Sequence, residues 1–183
     1  QWTVSPGGTI SSGAGTSIIT VDWISSGSQS VTVTYLSADG CPPVNPTQFA
    51  VVVNALPVPS INHDPVACLN GTTVFYTEPG MTMYQWTVSS GGAIIAGAGT
   101  RSIVVSWSST GAKTITVNYL DPNGCYPQQL SSKSVTVAAL PVPTITGPGQ
   151  ACLGSTTNVY STEPGMTNYQ WAVSAGGTIT AGQ

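Results

Sequence analysis

The sequence predicts an all-β fold built from repeated domains, and three observations support this prediction. First, the stretch YQWTVS at residues 84–89 recurs as QWTVS at residues 1–5 and as YQWAVS at residues 169–174. Second, apolar and polar residues alternate along short segments such as SIVVSW at residues 102–107, and a period of two is typical of strands with one buried face. Third, turn sequences such as EPGM, SGG and DPNG separate these segments. No segment shows a helical period.

The repeat has a period of 84 residues. Trp2 and Trp86 are 84 positions apart, as are Cys41 and Cys125, and LPVP at residues 56–59 returns 84 positions later. Solenoid repeats have periods of roughly 20–50 residues, so this period is too long for a solenoid. It is long enough for a small domain with its own core.

The phase of the repeat divides the chain into three parts. Residues 1–55 are predicted to be the C-terminal part of a repeat, residues 56–140 a complete repeat, and residues 141–183 the N-terminal part of another. We therefore expect the chain to be a window on a longer array. An alternative is that the two partial repeats complement each other between molecules, although residues 170–183 would then duplicate residues 1–14.

Composition disfavours two classes of partner. Charged residues make up 5% of the chain, with three Lys and Arg against six Asp and Glu and a net charge of −3. Nucleic-acid binding needs clustered Lys and Arg, so we expect no nucleic-acid partner. No apolar run approaches the roughly 20 residues of a membrane-spanning helix, so we expect no membrane span.

The order of segments in one repeat predicts an immunoglobulin-like sandwich. About seven short strands are expected between Pro57 and Val137, with a tryptophan near the centre. Trp86, Trp107 and Tyr119 fall on the inward phase of their strands. We predict that these three side chains form part of the core and do not stack on a ligand.

The same landmarks carry a resemblance to a known family. YQWTVS followed by Gly91-Gly92, the V-x-W strand ending at Trp107 and the turn Gly124-Cys125 resemble the PKD-like repeats of large secreted surface proteins of Bacteroidetes. The resemblance implies an extracellular, adhesin-like or gliding-associated protein exported by the type IX system. PKD modules also accompany catalytic domains in secreted hydrolases, so a carbohydrate-binding or accessory module is the alternative.

No group of residues predicts catalysis, a metal site or a cofactor. The single histidine, His63, has no cysteine pair nearby at metal-ligand spacing. The sequence also contains no GxSxG nucleophile elbow whose serine could form a catalytic triad with His63. Glu78 and Glu163 both precede Pro-Gly and are interpreted as turn residues. Asp121 begins DPNG, which is interpreted as a plain turn in preference to a weak calcium loop. We expect the protein not to be an enzyme.

The four cysteines leave the disulfide pattern open. Cys68 and Cys125 belong to the complete repeat, and a bond between them is the favoured pairing. An immunoglobulin-like chain path would put them at opposite ends of the sandwich, whereas a disulfide needs Cα atoms within roughly 7 Å. Bonds across a repeat junction and free thiols are the alternatives.

The linkers predict a structural role. The linker ALPVP at residues 55–59 and 139–143 is only five residues long, and its prolines favour an extended path. Tandem repeats joined in this way are predicted to form an elongated rod that acts as a stalk of a cell-surface protein. The expected partners are the neighbouring repeats and, at the cell surface, polysaccharide or other surface proteins.

Overall fold

The computed structural model describes residues 1–182, and within them the chain is built from strands, with no helix. The predicted all-β class is therefore confirmed. No helix in this range is long and apolar enough to cross a membrane. The strands are β1 Trp2–Val4, β2 Gly8–Ser12, β3 Thr20–Trp23, β4 Gly27–Val33, β5 Thr47–Val53, β6 Asn62–His63, β7 Thr72–Tyr76, β8 Thr82–Val88, β9 Gly92–Ala96, β10 Ser102–Trp107, β11 Gly111–Leu120 and β12 Ser131–Val137.

The chain divides into two compact units, Gln1–Ala139 and the residues from Leu140 onward. The first unit contains all twelve strands. The predicted three-part division, with boundaries near residues 55 and 140, stays a prediction.

Strands β6 to β12 form a sandwich with the strand order of an immunoglobulin-like domain. One sheet has the order β6-β7-β10-β9 and the other the order β12-β11-β8. Apolar residues at alternate positions of both sheets meet in one core, since period-two side chains share a face. The buried hydrophobic residues of this core cluster are Ile61, Ala67, Phe75, Trp86, Ile103, Val105, Trp107, Ile115, Val117, Val135 and Val137.

Strands β1 to β5 repeat the pairing of β8 to β12. Trp2 lies opposite Val33 as Trp86 lies opposite Val117, and each residue of one pair is 84 positions from its counterpart. The β2–β3 and β4–β5 pairs likewise match β9–β10 and β11–β12. The repeat inferred from the sequence is thus a repeat of strand pairing, and it is confirmed.

The Gly-Gly hairpin between β8 and β9 has a steric cause. A Cβ atom on Gly92 would lie 2.6 Å from Cζ3 of the Trp107 ring, which is closer than such atoms approach. Gly8 faces Trp23 in the same way, with 2.7 Å to that ring. A glycine at this position lets the core tryptophan of the facing strand lie against the backbone.

From Leu140 to Gly182 the backbone makes turns and one antiparallel bridge, between Thr146 and Ser161. The N–H of each residue donates to the carbonyl oxygen of the other at 2.8 Å. In the complete repeat, Asn62 and Tyr76 pair in the same way at the start of β6 and the end of β7. The second unit therefore contains the beginning of the pairing that β6 and β7 complete in the first.

Candidate functional site

A cluster of hydrogen-bonded polar side chains lies where the chain leaves the Pro-rich linker of the complete repeat. Ser60 follows Pro57-Val58-Pro59, and its backbone N–H donates to Glu78 Oε1 at 2.9 Å. The Ser60 hydroxyl donates to the same oxygen at 2.5 Å. Glu78 belongs to the EPG turn after β7, so these two bonds fasten the end of the linker to the sandwich.

The second carboxylate oxygen of Glu78 is also engaged. Oε2 accepts hydrogen bonds from the Thr77 hydroxyl at 2.6 Å and from the Tyr119 hydroxyl at 3.1 Å. Partial burial opposes ionisation, but the bonds from Ser60 and Thr77 outweigh it and lower the pKa of Glu78 to about 2. The side chain is thus an anion at neutral pH, with several donors directed at it.

Two tyrosines hold the turn that carries Glu78. The Tyr84 hydroxyl donates to the Glu78 carbonyl oxygen at 2.7 Å and accepts from the Met81 N–H at 3.1 Å. Its ring meets the Tyr119 ring edge to face, with centroids 5.8 Å apart. Burial, followed by the charge of Glu78, raises the pKa of Tyr119 to about 12, so its hydroxyl remains a donor. We call Ser60, Thr77, Glu78, Tyr84 and Tyr119 the Glu78 cluster.

The second unit builds the same arrangement independently. Thr144 follows Pro141-Val142-Pro143, and its N–H and hydroxyl donate to Glu163 Oε1 at 3.0 and 2.5 Å. The Thr162 hydroxyl donates to Oε2 at 2.6 Å, and Tyr169 donates to the Glu163 carbonyl oxygen at 2.7 Å. Hydrogen bonds from Thr144 and then Thr162 lower the pKa of Glu163 to about 2. The residue that follows each linker is therefore bound to a carboxylate of the same repeat.

The chemistry of the Glu78 cluster is that of an anchor. An ionised carboxylate accepts hydrogen bonds and gives none, and both oxygens of Glu78 accept from side chains of its own domain. Charge-assisted bonds of this kind are roughly twice as strong as neutral ones. The arrangement fixes the first residue after the linker relative to the sandwich.

The predicted core residues lie in the interior of the complete repeat. Trp107 is 2% exposed and Tyr119 1%, while Trp86 is 9% exposed. The Trp107 indole N–H donates to the Thr73 hydroxyl at 2.8 Å, and that of Trp86 to the Thr100 carbonyl oxygen at 2.9 Å. Both rings are thus packed inside the domain, and both indole N–H groups have an acceptor there. An aromatic ring that stacks on a sugar needs an open face.

The expected bond between Cys68 and Cys125 is not formed in the structure, where all four cysteines are free. Cys68 bridges to Ala138, beyond the end of β12 that pairs with Gly111. Cys125 lies in the turn that follows β11, and its N–H donates to Asp121. Because β11 has 10 residues at roughly 3.3 Å each, the two thiols lie at opposite ends of the sheet, too far apart for a disulfide.

Asp121 and His63 take structural roles. Asp121 Oδ1 accepts the N–H groups of Asn123 at 2.9 Å and of Cys125 at 2.7 Å. The backbone bond from Cys125 is the first cause of the lowered pKa of Asp121, so this carboxylate closes the DPNGC turn. The His63 ring packs against Phe75, with centroids 5.3 Å apart.

Sequence reasoning identified Glu78 and Glu163 as turn residues but missed their hydrogen-bond partners. Each residue does precede a turn, and in addition each carboxylate binds the hydroxyl of a residue 18 or 19 positions earlier in the chain. A signal was available, because a chain with six acidic residues places two of them in EPGM and a Ser or Thr after each PVP. Without coordinates, nothing links these two recurrences to each other.

The comparisons with known proteins agree with this architecture. Three consecutive segments match the model of the PKD-like domain, at residues 1–51, 54–137 and 138–183. A search of curated proteins returned no match.

Proposed function

The chain belongs to the PKD-like domain family, and we propose that it is a non-catalytic spacer in the stalk of a large extracellular bacterial surface protein. Such a module holds other domains away from the cell and needs no reacting groups of its own. The observation that carries the proposal is that the carboxylates of the chain hold its own backbone and do not form a reactive group. The most strongly perturbed carboxylates, Glu78 and Glu163, anchor the residue after each linker.

The core supports the same role. The tryptophans that could stack on a sugar, Trp86 and Trp107, are buried, and their indole N–H groups are bonded within the domain. A low content of Lys and Arg also leaves few sites for trypsin-like proteases, which suits an exposed stalk. On this proposal the repeats contact one another along an elongated rod.

The wider setting is a further part of the proposal. By its resemblance to repeats of Bacteroidetes surface proteins, we place the chain in an adhesin-like or gliding-associated protein exported by the type IX system. The partners are then neighbouring repeats, together with polysaccharide or proteins of the surface to which the cell attaches.

Labelling of intact cells of the source organism tests this proposal. An antibody raised against residues 56–140 should label intact cells as strongly as permeabilised ones, and proteinase K added outside the cells should remove the signal. Labelling that requires permeabilisation would contradict the extracellular role.

One observation favours a second candidate, an accessory module that binds neutral polysaccharide. The outward face of β8, β11 and β12 carries hydroxyl and amide groups at paired positions, and Thr87 and Thr116 hydrogen-bond across it at 2.5 Å. The outward residues of these paired positions are Gln85, Thr87, Thr114, Thr116, Asn118, Ser132, Ser134 and Thr136. A surface of this kind offers hydrogen bonds without charge.

Depletion onto insoluble polysaccharide separates the two candidates. An accessory module should be removed from solution by a neutral polysaccharide such as cellulose or chitin, and Thr116→Lys should weaken its retention. A spacer should remain in solution with either sequence.

A further inference from the structure

One tyrosine of the complete repeat lies on the outer surface of a sheet. Phe75 is 0% exposed and faces the core, and alternate residues of a strand point to opposite faces of the sheet. The next residue of β7, Tyr76, therefore faces outward, and it is 45% exposed. Tyr84 and Tyr119 belong to the Glu78 cluster, whereas Tyr76 lies outside it and is accessible to a ligand.

Polar side chains flank Tyr76 in register on both sides. Strand β7 lies between β6 and β10, so that Asn62 pairs with Tyr76 from one side and Ser102 from the other. Directly paired residues of antiparallel strands project on the same face. Because neighbouring strands are about 4.8 Å apart, the amide, the ring and the hydroxyl form a row about 10 Å wide. We call Asn62, Tyr76 and Ser102 the Tyr76 row.

An apolar pair lies next to the Tyr76 row on the same face. Val74 and Val104 pair with each other, two residues along their strands from the row, and both are half-buried. The next outward pair joins Thr72 to Ser106. All outward residues that pair between β7 and β10 are uncharged. The face therefore offers a ligand aromatic, aliphatic and hydroxyl groups without charge.

The strand pairing does not itself require a tyrosine at this position. In the second unit, Thr146 and Ser161 form the backbone bridge that Asn62 and Tyr76 form in the complete repeat. Their hydroxyl oxygens are 2.8 Å apart and hydrogen-bonded to each other. Two small side chains thus satisfy the same pairing, and the exposed ring of Tyr76 is an addition to the fold that packing does not explain.

The strand order indicates what kind of ligand fits the Tyr76 row. An extended peptide that adds to a sheet needs an edge with free backbone groups, but Tyr76 has a paired strand on each side. A ligand over the ring must therefore use side chains alone. A pyranose ring has an apolar C–H face that can stack on an aromatic ring, and its hydroxyls can bond to a neighbouring amide and hydroxyl. The absence of charge in the row favours a neutral sugar.

We propose that the Tyr76 row binds a neutral glycan chain, with one sugar ring stacked on Tyr76 and hydroxyls of that chain bonded to Asn62 and Ser102. The site goes beyond the spacer role. It shares the ligand class of the second candidate function, but it lies on the sheet opposite the face that carries Thr87 and Thr116. The two sites have no residue in common, so either can fail without the other.

Titration followed by nuclear magnetic resonance tests this site in the 183-residue chain. The probes are the hexasaccharides of cellulose, chitin, mannan and xylan, each added up to about 10 mM, which exceeds a millimolar Kd. At least one of them should shift the amide signals of Asn62, Tyr76 and Ser102 in a saturable way. No shift of these signals with any of the probes would overturn the proposal.

Matched variants test the role of the ring. Tyr76→Ser introduces the residue found at position 161, so the circular dichroism should not change, and binding should weaken by at least about 10-fold. Tyr76→Phe keeps the ring and should stay within about 3-fold of the native affinity. Tyr126→Ser is the control, because Tyr126 is similarly exposed, at 43%, and follows the turn after β11. Unchanged binding by Tyr76→Ser, or an equal loss in Tyr126→Ser, would refute stacking on Tyr76.

Two further outcomes separate this site from other binding modes. Thr116→Lys should leave the shifts at the Tyr76 row unchanged; shifts confined to Thr87 and Thr116, and lost in Thr116→Lys, would overturn this site and support the second candidate function. Decaproline, an extended peptide without backbone N–H donors, serves as the peptide probe. Shifts at Tyr76 with decaproline and with none of the hexasaccharides would overturn the assignment to a glycan.

Discussion

Replacing the Glu78 carboxylate by an amide should loosen the start of the complete repeat. Glu78→Gln keeps the size of the side chain and removes its charge. In the native chain, Oε1 accepts from the Ser60 N–H and hydroxyl, and Oε2 accepts from the Thr77 and Tyr119 hydroxyls. An amide has one oxygen and one NH₂ group. Either the two Ser60 donors or the Thr77 and Tyr119 hydroxyls must therefore face the NH₂ group, which is itself a donor.

The expected loss follows from these contacts. The Thr77 and Tyr119 hydroxyls can rotate and accept from an amide, but the Ser60 N–H cannot, so the amide oxygen of the variant should turn toward Ser60. The substitution removes the negative charge from four hydrogen bonds, two of which come from the exposed residue Ser60. Bonds to charged groups contribute about 1.5–3 kcal/mol each against about 1 for neutral ones; with solvent screening we expect a total loss of about 1–2 kcal/mol in the free energy of unfolding.

The pH dependence gives this prediction its sign. The pKa of Glu78 is about 2 in the folded chain against an ordinary value of 4.5. A lowered folded-state pKa stabilises the fold above the unfolded-state value, and this stabilisation disappears as the pH falls from about 4.5 toward 2. The difference in stability between the native chain and Glu78→Gln should therefore be full at about pH 6 and largely gone at about pH 2.

Denaturant unfolding followed by circular dichroism measures this difference, and hydrogen exchange at the Ser60 amide reports the local contact. Asp39→Asn is the matched control, because Asp39 is an exposed acid in the turn after β4, and it should change stability by less than about 0.5 kcal/mol. Glu163 is present in both proteins, so its titration cancels. Equal stability of the native chain and Glu78→Gln at neutral pH, with equal exchange at Ser60, would refute the anchoring role.

Three further predictions concern the interior and the thiols. Trp86→Ala should cost about 3–5 kcal/mol of unfolding free energy, and a loss below about 1 kcal/mol would mean that the ring is exposed in solution. Thr73→Val should cost about 1–3 kcal/mol by leaving the Trp107 indole N–H unpaired, and this cost should shrink in a Trp107→Phe background; equal costs in both backgrounds would contradict the buried bond. Cys68 and Cys125 should both alkylate in unfolded, unreduced protein, and a linked peptide in a non-reducing map would contradict the strand register.

The strand pairing was predictable because its signals are local. Alternation along residues 102–107 placed Ile103, Val105 and Trp107 on one face, and all three are buried. The repeat of 84 residues transferred each assignment to the other copy, and the registers of Trp2 and Trp86 agree to the residue. Period and alternation fix the face of a side chain without any knowledge of distant contacts.

The features that the sequence did not predict are contacts between residues that are far apart along the chain. The bond between Ser60 and Glu78 joins residues 18 positions apart, and that between Tyr119 and Glu78 joins residues 41 positions apart. No local pattern encodes either contact. The favoured Cys68–Cys125 pairing came from counting cysteines in one repeat, whereas the length of β11 separates them; the objection from the immunoglobulin-like chain path was the better guide.

Small-angle scattering on tandem arrays tests the spacer role most directly. Polypeptides of two, three and four complete repeats, joined by the native Leu140-Pro141-Val142-Pro143 sequence, should show a maximum dimension that grows in proportion to the number of repeats. The increment should be about 30 Å per repeat, the length of a strand of 10 residues such as β11. A maximum dimension that grows much more slowly than the number of repeats, as for domains packed side by side, would contradict the spacer.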